Sequence, residues 1–481
     1  MSDPHRRPRL NLIVVCFDTL RRDALATDLC RTPHFDRFAE QAVVFGNAWG
    51  EGLPTIPFRR AVHTGMRSFP WRHHVGDRGS HPNLLGWHAI PEHHTTLAEY
   101  LYQQGYATGL VSDVWHLFKA TMNFTRGFVS WDFVRGQEGD THTLAQEALQ
   151  EPSPFGRGRL GPSAYLYQTR DRARDEDYFA AQVLRRAGDW AVGMRGAPPY
   201  FLWVDSFTPH EFWDPPVRFA DAYQGGDGRP DHIVPQSLNR APGRPEPDPQ
   251  DIARTRALYQ GYVTFADQCF GAFLDRLEQS GAMRDTVVVV LSDHGTELWD
   301  QGQFGKSGAR MHPYNTHINW LVRHPDIRRR EQVEAFVQNQ DVVPTLLSLL
   351  GVAHPPLEGG NVWPWAAERA PERDHVVTGW EAHASVRDRH WNLLLHTQDP
   401  GAERRLYDLI ADPEERSNVA AQHPEVVARQ VARLEALLGA PLPARFVHTP
   451  LRGFAATPGG LREVRRQRAQ AGERWEGSNL V

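Results

Sequence analysis

Four short apolar runs, each closed by an aspartate, constrain this chain more than any other feature. Leu12 to Phe17 leads into Asp18, Thr108 to Ser112 into Asp113, Tyr200 to Val204 into Asp205, and Thr286 to Ser292 into Asp293. Runs this short, rich in β-branched and aromatic residues, read as strands buried on both faces, the pattern of a parallel sheet. Helical periodicity lies between them. It is clearest over 252–277, where apolar residues from Leu258 to Leu277 recur at three- and four-residue steps. The alternation predicts an α/β fold with a doubly wound, mostly parallel central sheet and helices on both faces. In such a sheet ligands gather beyond the carboxyl ends of the strands, where all four aspartates fall. One strand-terminal Asp commonly caps a helix. Several converging on one edge suggest a cation site instead.

The texture changes after about residue 360. Residues 8–360 read as a catalytic domain, 361–445 as a small C-terminal α+β appendage, and 446–481 as an Arg-rich tail. Asn361 to Asp374 reads as a linker. Short strands follow at His375 to Thr378, Trp391 to His396 and Arg405 to Leu409, then an amphipathic helix over 424–438. Residues 451–481 carry six Arg and three Glu; they read as a solvated or oligomer-packing helix, with a partner or nucleic-acid contact as the alternatives.

Composition narrows the function. The chain has 481 residues, 40% of them hydrophobic, enough for a sizeable core. No apolar run approaches the roughly 18 to 20 residues of a membrane helix. Cys16, Cys30 and Cys269 form no CxxC pair and no disulfide framework. The residues from Met1 to Arg7 do not read as a secretory signal, and a net charge of −5 argues against a strongly basic nucleic-acid binder. The expectation is a cytoplasmic protein with no membrane or nucleic-acid partner, its oligomeric state left open to a homo-oligomer. The 53 basic residues include only two lysines, Lys119 and Lys306. Where guanidinium has replaced nearly every ammonium, the survivors are candidates for sites needing a compact point charge; drift is the alternative, and the favoured one for Lys119.

Two constellations carry chemistry. Asp293-His294-Gly295 places a carboxylate and an imidazole side by side at a strand end, and Asp18 closes another strand of the same set. Divalent Mn, Zn or Ca accepts such an oxygen-rich site. A capping Asp beside an incidental His is the other reading. The second constellation runs from Leu53 to Gly65. Pro57 suits a helix first turn and Thr55 its start, with Arg59 one turn on, offering a fork for a tetrahedral oxyanion. A Thr-capped helix with an arginine in its first turn is the alternative.

Together these motifs resemble the sulfatase family of the alkaline-phosphatase superfamily, over roughly residues 8–440. Asp18 to Leu25 is similar to the family's opening metal segment, and Thr32 to Ala39 to the helix after it. Thr55 to Gly65 matches its Cys/Ser-x-Pro-x-Arg…Thr-Gly signature in spacing, with Thr55 at the nucleophile position. Gly105 to Thr108 with Trp115-His116-Leu117 is similar to the Gly-Lys-Trp-His-Leu region. Pro209-His210, Ser292 to Gly295 with Gly305-Lys306, Asp341 to Leu347, and Leu406 to Leu409 with Asp412-Pro413 match later landmarks.

The departures matter. Members of this family oxidise Cys or Ser to formylglycine, and threonine cannot yield that aldehyde because its β-carbon carries a methyl. The resemblance therefore implies Thr55 acting as a metal-bound alkoxide. The family's second aspartate is Thr19 here, and its lysine before Trp-His is Val114; Lys119 is a weak candidate to replace it. By resemblance, one divalent metal would be held by Asp18, Asp293, His294 and Thr55. Arg59 would orient the nucleophile and substrate oxygens, and Lys306 would neutralise the transferring group. His116 and His210 would contact substrate and protonate the leaving group, or simply pack. Asp113 and Asp205 read as caps or supporting groups. His312 and His317 flank Pro313-Tyr314-Asn315 and are left undecided, and Arg135 to Asp140 reads as a substrate-facing rim or a surface turn. The expected substrate is a small anionic ester: phosphate or phosphonate first, sulfate without formylglycine second. A group transferase and a metal-binding pseudoenzyme are the remaining alternatives.

Overall fold

The computed structural model describes residues 9–443 apart from 72–83, 120–121, 144–161, 197, 241–244 and 328. The predicted Arg-rich tail, 446–481, lies outside the described residues. Eight strands form the central sheet in the order Glu331–Val333, Val43–Phe45, Trp320–Arg323, Thr286–Ser292, Asn11–Phe17, Tyr200–Ser206, Ala107–Ser112 and Ser130–Phe133. All neighbours run parallel except Trp320–Arg323, which is antiparallel to both strands beside it. The α/β fold with a large, mostly parallel sheet is thus as expected.

Alternation along the first strand divides the interior. Ile13, Val15 and Phe17 enter one apolar core with the long helix Pro249–Ser280 and with Phe179–Gly193; Leu12, Val14 and Cys16 enter another with Thr55–Thr64 and Val342–Leu349. The helix predicted over 252–277 extends further at both ends. Asp248 accepts from Gln250 N–H at 2.9 Å with Pro249 in the first turn, and Gly281 closes the helix at φ 78°.

Register brings the aspartates together. Phe17 is level with both Ser206 and Ser292. Asp18 N–H then donates to the Ser206 carbonyl at 2.9 Å, and Asp293 N–H to the Phe17 carbonyl at 3.4 Å. Asp205 lies inside its strand, one residue short of the end, so it is not a terminal cap.

The C-terminal sheet contains His375–Trp380, His383–Asp388, Trp391–His396 and Arg405–Asp408, each antiparallel to its neighbour. The His383–Asp388 strand was not anticipated. Its sheet also takes a fifth strand from the catalytic part: Gly52–Leu53 pairs parallel with Gly379–Trp380. The appendage therefore grips the segment that leads into Thr55. Among the described residues no helix is long and apolar enough to cross a membrane.

Candidate active site

Asp18, Asp293 and His294 converge so that one ligand atom of each lies within 4.8 Å of the others, all three side chains fully buried. His294 Nδ1–H donates to the Gly295 carbonyl at 2.9 Å, which leaves Nε2 as a lone pair. That nitrogen has no hydrogen-bond partner and faces Asp293 Oδ2 at 3.5 Å and Asp18 Oδ1 at 3.7 Å. Burial outweighs the attraction of Asp293 and brings the His294 pKa down to about 4. Burial and the Asp293 charge push the Asp18 carboxyl well above the usual carboxylate range. A buried lone pair aimed at two crowded carboxylates is repulsive as it stands, and a divalent cation among them would make every contact attractive. The donor set fits such an ion.

Thr55 opens the helix Thr55–Thr64 as its first residue, with Pro54 before it, so it is not the helix cap. The residue is 3% exposed, and its carbonyl accepts from Arg59 Nη1 at 3.3 Å. The same nitrogen donates to Asp293 at 2.6 Å and Asp18 at 3.1 Å, while Nε and Nη2 clamp Asp205 at 2.9 and 2.7 Å. Arg59 is fully buried, and its fork is taken up by three aspartates and a backbone carbonyl. It is thus an internal counterion that ties Thr55 to the carboxylates, not the free oxyanion fork expected from sequence. Asp113 accepts from Phe207 N–H at 2.7 Å, and burial raises its pKa to about 7.

Lys306 Nζ lies between Glu211 (2.7 Å) and Thr19 Oγ1 (3.1 Å), and Thr19 Oγ1–H donates to Asp18 at 2.7 Å. Thr19 stands at φ 63° and donates its backbone N–H to Asp293 at 2.9 Å. His210 is stacked on Phe207 and donates Nδ1–H to the Glu211 carbonyl at 2.7 Å; burial, then Lys306, lowers its pKa. His116 packs against Trp87, Trp115 and Phe207, with Nε2 3.3 Å from Glu138 Oε2. Burial is the main reason its pKa falls to about 4. Burial thus holds both imidazoles below their ordinary range.

Other expectations change. The Arg135–Asp140 loop is no loose surface turn, because Glu138 reaches His116. Val114, at the position of the family lysine, belongs to an apolar cluster with Ile56, Leu117 and Phe207. Lys119 lies over the Trp115 ring at 3.9 Å, and burial lowers its pKa to about 8. His312 Nδ1 meets Glu415 at 2.7 Å. His317 stacks on Trp49 and bonds the Gly46 carbonyl at 2.9 Å. Both are structural joints. Sequence reasoning passed over Glu211, although a lone lysine inside a site calls for a carboxylate and Glu211 directly follows His210.

The fold and this constellation agree with comparisons to known proteins. A sulfatase family model matches residues 10–352, and an N-sulphoglucosamine sulphohydrolase C-terminal model matches 302–438. The chain belongs to the sulfatase family of the alkaline-phosphatase superfamily. Arylsulfatase K of Bos taurus is 27% identical over 214 residues, 41% of this chain and 39% of that protein; the matched stretch thus spans about two fifths of that relative's length. An arylsulfatase of Clostridium perfringens is 21% identical over 450 residues, 85% of this chain and 90% of its own. The fold is shared with a phosphonate monoester hydrolase of Agrobacterium radiobacter (TM-score 0.67, 22% identity, covering 90% of this chain and 95% of that one). It is shared equally with a protein solved with its substrate D-glucosamine-2-N,6-O-disulfate (TM-score 0.67, 19% identity, covering 90% and 98%).

Proposed function

We propose that this chain is a metal-dependent hydrolase of anionic phosphate or phosphonate esters, with Thr55 as the nucleophile. The observation that carries the reading is the Arg59 bridge, which fixes the start of the Thr55 helix against Asp18 and Asp293. Asp18, Asp293 and His294 would hold the cation, with Thr55 beside them. A cation so held supplies Lewis-acid polarisation of ester oxygens and lowers the pKa of a neighbouring hydroxyl. Arg59 keeps the carboxylates and the helix start in one geometry. Lys306, with two of its N–H groups on Glu211 and Thr19, has one left for a substrate oxygen. Threonine cannot become formylglycine, so the group to be transferred is taken up by a simple hydroxyl, chemistry suited to a phosphorus centre.

The names of the relatives favour a second reading, a sulfuric-ester hydrolase that works without formylglycine. The test is a panel of p-nitrophenyl sulfate, p-nitrophenyl phosphate, bis-p-nitrophenyl phosphate and p-nitrophenyl phenylphosphonate, each with Mn²⁺, Zn²⁺ or Ca²⁺. Turnover of the phosphorus esters supports the first reading. Turnover confined to the sulfate rejects it. Stoichiometric metal binding with no turnover of any ester points to a pseudoenzyme.

A further inference from the structure

Thr19 stands where the resemblance places the family's second aspartate, and its hydroxyl is engaged on both sides. Oγ1–H donates to Asp18 Oδ1 at 2.7 Å, and the same oxygen accepts from Lys306 Nζ at 3.1 Å. Glu211 holds Lys306 in that place at 2.7 Å. An ammonium so close opposes any cation that would use the Thr19 oxygen. The residue is fully buried and stands at φ 63°, a conformation that a β-branched side chain adopts only at a cost.

The donors that remain can be counted. Asp293 Oδ1 accepts from the N–H groups of Thr19 at 2.9 Å and of His294 at 2.7 Å, which takes both its lone pairs. Asp293 is left with Oδ2, and that oxygen also accepts from Arg59 Nη1 at 2.6 Å. Asp18 Oδ2 accepts from the same nitrogen at 3.1 Å. The atoms that face one another are therefore one nitrogen and two oxygens. His294 Nε2, which has no hydrogen-bond partner, lies 3.5 Å from Asp293 Oδ2 and 3.7 Å from Asp18 Oδ1.

Such a set is poor for one class of cation and good for another. Calcium takes about six to eight oxygen ligands and gains little from an imidazole. Zinc is satisfied by about four donors, imidazole nitrogen among them, and its catalytic sites use about three from the protein. Resting on the reading that Asp18, Asp293 and His294 hold the cation, we infer that Thr19 sets the identity of that cation. By withholding a carboxylate, and by seating Lys306 where one would stand, Thr19 makes the site selective for Zn²⁺ and against Ca²⁺. Mn²⁺, which binds mixed nitrogen and oxygen sites more weakly than Zn²⁺, falls between them.

The experiment is equilibrium dialysis of the full-length protein, stripped with EDTA, against Zn²⁺, Mn²⁺ or Ca²⁺, with bound metal counted by plasma mass spectrometry. Wild type is compared with Thr19→Asp, Thr19→Asn and Asp293→Asn. Wild type is expected to hold Zn²⁺ about a hundredfold or more tighter than Ca²⁺. Thr19→Asp should tighten Ca²⁺ by about tenfold or more and narrow that ratio. Thr19→Asn, which supplies an oxygen without a charge, should narrow it less. Asp and Asn adopt a positive φ more readily than Thr, so both variants keep the local backbone. Ca²⁺ bound as tightly as Zn²⁺ by wild type, or a ratio left unchanged by Thr19→Asp, would overturn the role of Thr19. Zn²⁺ held with wild-type affinity by Asp293→Asn would instead show that the cation lies elsewhere, so failure of the underlying reading is told apart.

Discussion

Lys306 and Glu211 meet at 2.7 Å with both side chains nearly buried, and Thr19 links the pair onward to Asp18. Burial alone would raise the Glu211 pKa from its ordinary 4.5; Lys306, then His210, overcome it and bring it down to about 2. A carboxyl whose pKa is lower in the folded than the unfolded state contributes stability that is present above the unfolded value. That stability is lost as pH falls from about 4.3 towards 2. Wild type should therefore lose on the order of 3 kcal/mol through this group over that window. Glu211→Gln should lose correspondingly less, as read by urea unfolding at pH 5 and pH 2.5. Equal losses in the two proteins would contradict the pairing.

The same pair sets the charge that a substrate meets. Arg59 is spent on three aspartates and Lys306 is half-neutralised by Glu211. Glu211→Gln removes a negative charge from the wall and should improve kcat/KM for a dianionic phosphate monoester, relative to a monoanionic diester, by about tenfold or more. High salt should narrow the difference. An unchanged ratio would mean that Glu211 lies too far from the bound ester to be felt.

Asp18 and Asp293 crowd each other and the His294 lone pair, so a cation should bind the folded state and raise its stability. At a free metal concentration a hundredfold above Kd the gain is about 2.7 kcal/mol. Thermal melts with Mn²⁺, Zn²⁺ or Ca²⁺ should show an upward shift that EDTA reverses, and Asp293→Asn should nearly abolish it. A shift retained in Asp293→Asn would place the cation elsewhere.

Sequence was informative here where a signal is local. The strand runs and their terminal aspartates follow from residue type and chain position, and so the parallel sheet and the Asp18, Asp293 and His294 cluster could be anticipated. Arg59 shows where that stops. Its place near Thr55 follows from helical spacing, but its three aspartate partners arrive from strands 41, 146 and 234 residues away. No periodicity encodes that convergence. Gly52–Leu53 is too short a strand to carry a pattern, and its partner is chosen by a sheet formed more than 300 residues later. Glu138 was visible as part of a polar loop, but its contact with His116 depends on a φ of 47° that its own residue type disfavours.

A last prediction concerns the joint between the two parts of the chain. Glu415, fully enclosed, accepts from His312 at 2.7 Å and from Asn392 at 3.0 Å, and it pairs with Arg387. Arg387 in turn lies over the Trp49 ring at 4.3 Å, and Trp49 stacks on His317. The cluster thus ties the C-terminal sheet to the segment that leads through Gly52–Leu53 into Thr55. Glu415→Ala leaves a buried guanidinium without its anion and should cost about 3–5 kcal/mol. Because an apolar replacement of both partners avoids that unpaired charge, Arg387→Met combined with Glu415→Leu should be more stable than either single variant. The loss in Glu415→Ala should also open the 361–374 connection to limited proteolysis before the central sheet unfolds. If the double variant instead shows the sum of two single losses, Glu415 acts through separate contacts, and the joint is not a charge-coupled unit.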